Sequence, residues 1–73
     1  MEIKTITKTI PVNNKYYIRI VWHNDSYNRD YRLCDIKEDS VIVSSYNRDS
    51  FLLKVNAKGI KLTNMQECLI ASI

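Results

Sequence analysis

From Tyr16 to Trp22 the chain alternates, with Tyr16, Ile18, Ile20 and Trp22 on one parity and Tyr17, Arg19 and Val21 on the other. Successive side chains of a strand point to opposite faces, so this period of two predicts a β-strand near residues 15–22 with the first set facing a core. The same period recurs along most of the chain, and turn residues return roughly every ten positions. Strands are predicted near 3–10, where β-branched Ile and Thr suit a pleated surface, near 30–36, and over Ser40 to Ser44. Phe51, Leu53 and Val55 continue the alternation as a fifth strand, and Ile60 to Leu62 pairs back on it across Asn56-Ala57-Lys58-Gly59, where Gly59 supplies the left-handed residue of a short loop. Pro11 to Asn14 and Lys37 to Asp39 read as turns, the second with Asp39 bonding its own backbone.

The C-terminal stretch fits two elements. Asn64 followed by Glu67 has capping-box spacing and puts Met65, Cys68 and Leu69 on one helical face, whereas Cys68 to Ile73 also reads as a buried strand. The short helix is favoured, and the apolar Ile73 end is expected to pack against the body or a second subunit. The predicted fold is therefore all-β, or β-rich α+β, in one domain over residues 1–73: a small antiparallel meander or a five- to six-stranded barrel or sandwich with one short C-terminal helix.

Composition changes this picture only at the margins. With 73 residues the chain buries about 60% of the surface it exposes when unfolded, and its 45% hydrophobic content with one Gly and one Pro is that of a folding chain. Eight acidic residues are interspersed among 11 basic ones for a net charge of +3, a weak footprint for polyanion binding. No basic segment leads into an apolar one at the start, and no apolar run approaches the ~20 residues of a membrane helix. A cytoplasmic protein with no membrane partner is expected, its Cys34 and Cys68 as buried free thiols. Abundant Lys, Asn, Ile and Tyr beside scarce Ala suggest an AT-rich coding sequence, such as those of many Gram-positive bacteria and their phages.

The pentapeptide Ser-Tyr-Asn-Arg-Asp occurs twice, at residues 26–30 and 45–49. Shared turn chemistry explains part of the recurrence, since Asn and Asp are turn formers. In a meander both copies fall in connections after even-numbered strands, and so at one end of the sheet. Tyr offers a large rigid surface, Ser and Asn adapt their hydrogen bonds, and Tyr and Arg dominate interface hot spots. Tyr27, Arg29, Tyr46 and Arg48 are accordingly the first candidates for protein contact, with Tyr31 and His23 as neighbours. Each Arg is followed by Asp, which competes for the guanidinium and repels a polyanion, so a protein of mixed charge suits these loops better than phosphate does.

A second surface competes. Tyr17 and Arg19, with Lys15 at the edge and Arg32 on the next strand, interleave aromatic and cationic groups as single-stranded nucleic-acid platforms do, and small barrels commonly serve this way. The plainer alternative is that Tyr17 covers a second core face while Arg19 keeps only its head in water. Over nine residues, "KGIKLTNMQ" (58–66) resembles the strand-to-helix junction of the positive-cofactor-four family of single-stranded DNA-binding coactivators, although the strand order before it departs from that pattern.

His23, Asp25 and Ser26 share one loop, but a base must sit between nucleophile and orienting acid, which three residues within one turn rarely achieve. Without a glycine-rich phosphate loop, and with one His lacking any close Cys, no cofactor and no metal are expected. The sequence thus points to a non-enzymatic protein-binding module, of a kind suited to a phage or mobile-element inhibitor occupying a host protein's working surface in the host cytoplasm. Single-stranded nucleic-acid binding on the Tyr17 face is the alternative. Closure into a barrel and a homodimer through an edge strand both stay open at this level.

Overall fold

A computed structural model describes residues 2–73. Four strands, β1 (Thr5–Pro11), β2 (Tyr16–His23), β3 (Asp30–Asp35) and β4 (Ser40–Ser45), form an antiparallel meander in the order β1-β2-β3-β4, and two helices follow, α1 (Arg48–Ala57) and α2 (Asn64–Ala71). The β-rich α+β class and the meander hold. The barrel with five or six strands does not: the sheet is open, and the predicted fifth strand and its hairpin are α1 and a loop.

The reason lies in the caps. Asn47 Oδ1 accepts from the Ser50 amide at 3.0 Å and so satisfies an otherwise orphan donor at the start of α1. Asp49 adds a negative charge in the first turn, where the helix dipole favours it. At the other end Gly59 takes φ +79°, its amide bonds the Asn56 carbonyl at 2.9 Å, and the Ile60 amide reaches the Val55 carbonyl at 3.4 Å. That is the Schellman pattern. The left-handed glycine thus ends a helix rather than closing a hairpin. Phe51 and Val55, one helical turn apart, are the residues α1 buries.

One face of the sheet packs on the helices. Ile10, Ile18, Ile20, Tyr31, Leu33 and Val43 meet Phe51, Val55 and Ile70 in a single core, with Tyr16 and Trp22 packed at its margin. The Tyr31 and Phe51 rings stack at 5.7 Å between centroids, which fastens α1 to the middle of the sheet. On α2 it is Ile70 that is buried, while Met65, Cys68 and Leu69, grouped on one helical face by the sequence spacing, are exposed. Both cysteines are free, Cys34 buried and Cys68 exposed against expectation.

The capping box of α2 sits one residue earlier than the sequence spacing suggested. Thr63 Oγ1 accepts from the Gln66 amide at 3.1 Å, and Gln66 Oε1 accepts from the Thr63 amide at 2.9 Å. Gln66 Nε2 also donates to the carbonyls of Pro11 and Val12, at 3.1 and 3.0 Å, pinning α2 to the β1–β2 turn. Gln66→Ala is therefore expected to cost about 2 kcal/mol, against about 1 for Thr63→Ala, which removes only one acceptor. Urea denaturation of the two variants checks the order. Equal losses would mean the anchor to the turn contributes nothing.

Candidate functional site

The register settles where the two pentapeptides lie. Ile20 pairs with Tyr31, and Tyr31 with Ser45, so the loop between β2 and β3 and the link from β4 to α1 emerge at one end of the sheet. Both copies begin with the same turn: Ser26 Oγ accepts from the Asn28 amide at 3.1 Å, and Ser45 Oγ accepts from the Asn47 amide at 3.2 Å. The tyrosine between each Ser and Asn is left outside. Tyr27 is 100% exposed and Tyr46 78%.

Beyond Asn the copies diverge because different elements follow. In the first, Arg29 folds back, its Nη1 donating to the Ser26 and Asn28 carbonyls at 3.2 and 3.4 Å while the guanidinium lies 4.7 Å from the Trp22 ring centre. Its Nε is buried without a hydrogen-bond partner. Asp30 then enters β3 and binds Arg32. In the second copy Asn47 caps α1, Arg48 becomes the first helical residue, and its Nε lies 3.9 Å from Asp49 Oδ1 in an exposed pair.

At this end Trp22, His23, Ser26, Arg29 and Tyr46 contribute to an open concavity of about 300 Å³. Trp22 packs at the core margin, as its parity on β2 predicted, and also lines this concavity, a role the sequence reading did not give it. The contact between Trp22 and Arg29 leaves no local signal, because it forms only once the loop folds back. Of the two proposed neighbours, His23 is exposed and lines the concavity, whereas Tyr31 does not. Tyr31 is 6% exposed and belongs to the core, so it is no contact residue. His23 Nδ1 lies 3.2 Å from Thr5 Oγ1, joining the end of β2 to β1, while the Ser26 hydroxyl of the same loop is spent on its turn.

The opposite face of the sheet carries no helix. Arg19 and Arg32 are register partners there, and Tyr17 stands opposite Cys34. The Arg19 guanidinium lies 5.4 Å from the Tyr17 ring centre and donates to its hydroxyl at 3.0 Å. That hydroxyl donates in turn to Asp39 Oδ1 at 3.0 Å. Asp39, in the turn between β3 and β4 at φ +50°, thus accepts from a side chain of β2, and it is Asp35 that accepts from the Glu38 amide to form the turn. Partial burial, then the bond to Asp39, raises the Tyr17 pKa above its ordinary value. Arg32 donates from Nε to Asp30 Oδ2 at 2.7 Å, and this partner raises its pKa further. Lys15 is exposed in the turn between β1 and β2, whose Asn13 Oδ1 accepts from the Lys15 amide at 2.8 Å.

No helix among the described residues is long and apolar enough to cross a membrane. The stretch that resembles a strand-to-helix junction runs from α1 through a loop into α2, with no strand in it. The chain matches no protein-family model, no curated protein and no solved structure, which leaves its own residues and their geometry to indicate function.

Proposed function

We propose that the chain is a non-enzymatic protein-binding module that engages one protein partner with the end of the sheet carrying both pentapeptides. The observation that supports this best is the pair of tyrosines, fully and largely exposed at one end of the sheet, where Tyr46 also lines a concavity with Trp22 and Arg29. A phenol ring has two side-chain torsions to freeze, so it contributes contact area at low entropic cost. Nothing in the fold uses either ring, and their freedom is what an anchor needs.

Arg29 acts here as a support that sets the loop, and Arg48 as an exposed flank on α1. The inhibitor-like role, in which a small module occupies a host protein's working surface, fits such a rim and remains part of the proposal. A homodimer through an edge strand is compatible with it.

The nucleic-acid reading keeps one favourable feature, the helix-free face on which Arg19 and Arg32 lie side by side. Against it, Asp30 occupies Arg32 and Asp39 takes the Tyr17 hydroxyl, so the face offers a polyanion little unspent charge. The test is affinity capture with the wild-type chain and with Tyr27→Ala/Tyr46→Ala. Capture that survives the double replacement but disappears on nuclease treatment favours the nucleic-acid reading instead.

A further inference from the structure

β4 is the last strand of the sheet, so one of its long edges has no partner strand. The other free edge, β1, ends in Pro11, which has no amide to donate, and carries Lys8. β4 has no proline, and Val41 and Ile42 are exposed along it. Leu33 pairs with Val43 and Cys34 with Val41, so Ile42 is an extra residue that breaks the ladder. The regular part of the edge is Val43 to Ser45, the half nearest the tyrosine rim.

A strand laid along that edge would send alternate side chains to the two faces of the sheet. A shallow hollow waits on each. On the helix-free side it includes Arg32, Ser44, Tyr46 and Lys54, and on the helical side Ile42, Val43, Ala57 and Lys58, with Lys54 bordering both. The one carboxylate in either hollow, Asp30, is bound to Arg32. Lys54 Nζ donates to the Ser44 carbonyl at 3.2 Å, and among the described residues neither Lys54 nor Lys58 has a carboxylate within ion-pair distance.

We infer that the β4 edge accepts an extended acidic segment of the partner protein as a fifth strand. Its carboxylates face Lys54 on one side, beside the Arg32–Asp30 pair, and its small apolar side chains lie on Ile42 and Ala57 on the other. The positive charge of Lys54 and Lys58, which has no carboxylate partner among the described residues, selects this occupant over a second copy of the chain, whose own edge would bring Lys54 and Lys58 against their equivalents. Because Tyr46 borders both the hollow beside β4 and the concavity at the rim, a strand bound here leads directly onto the tyrosines. The inference rests on the protein-binding reading for the class of partner and names the segment gripped.

The probe is a fluorescein-labelled peptide of about seven residues alternating Glu and Val, titrated with the full chain at low salt and followed by anisotropy, with slowed amide exchange at β4 as the structural readout. Saturable binding is expected, weakened roughly fivefold or more by Lys54→Gln/Lys58→Gln, and lost when alternate peptide amides are N-methylated. No binding, equal binding of a Lys/Val peptide, or full binding of the N-methylated peptide would overturn the inference, as would self-association of the chain through β4 in sedimentation. Failure here leaves the rim proposal intact if the tyrosine variant still loses capture. Peptide binding combined with undiminished capture by that variant overturns the rim proposal alone.

Discussion

Phe51→Ala is expected to leave a chain whose tertiary structure is largely lost at moderate temperature. Phe51 is fully buried and stacks on Tyr31, and with Val55 it is what α1 buries against the sheet. Truncating a buried Phe costs about 3–5 kcal/mol through lost transfer energy and the cavity left behind. A domain of this length has on the order of 4–11 kcal/mol in total. The exposed Leu53 cannot replace the anchor without rotating the helix away from its Asn47 cap. Urea denaturation followed by near-ultraviolet circular dichroism measures the loss. A cost below about 1 kcal/mol would mean that α1 does not hold the sheet as described.

The alternation along β2 was legible because period two has one interpretation when sustained over seven residues, and Ile18 and Ile20 are indeed fully buried. The sequence reading of α1 is a strand alone, although the pattern also admits a helix. Phe51, Leu53 and Val55 satisfy a strand, while Phe51 and Val55 alone satisfy one helical turn, and the apolar run is too short for period to decide. The deciding residue, Asn47, lay inside a pentapeptide whose Ser and Asn read equally well as loop. Gly59 could not arbitrate either, since a hairpin and a helix C-terminus both ask for positive φ. At α2 the cap was displaced by one residue because Thr63 and Asn64 are both acceptable there. Missing a helix also hid the open sheet, since two fewer strands leave nothing to close a barrel.

The rim was partly legible for a related reason. Polar neighbours made exposure of Tyr27 and Tyr46 the natural expectation, and the meander put both at one end. Arg29 carried no such signal: its partner, Trp22, sits on a strand that the loop must first leave and return to. The pentapeptide itself repeats a turn, with the Ser hydroxyl accepting from the Asn amide in both copies, and that shared turn lifts the tyrosine each time.

The second large effect is expected in binding rather than folding. Tyr27→Ala/Tyr46→Ala should change stability by no more than about 0.5 kcal/mol, because neither ring is packed in the fold. Tyrosines that become buried anchors at an interface cost about 2 kcal/mol or more each on truncation. Allowing for non-additivity, the double variant should bind its partner at least about a hundredfold more weakly. Arg29 is a poor residue for this test, since Arg29→Ala also removes the stack on Trp22 and two bonds that set the loop. An intact melting profile combined with lost capture separates recognition from folding.

That both tips meet the same target is tested most directly by placing a photo-crosslinking phenylalanine analogue at position 27 in one preparation and at position 46 in another. A third preparation, with the analogue at Leu53 on the exposed face of α1, serves as the control. The proposal predicts that positions 27 and 46 trap one and the same protein and that position 53 does not. Different proteins at the two positions, or equal trapping at position 53, would contradict it.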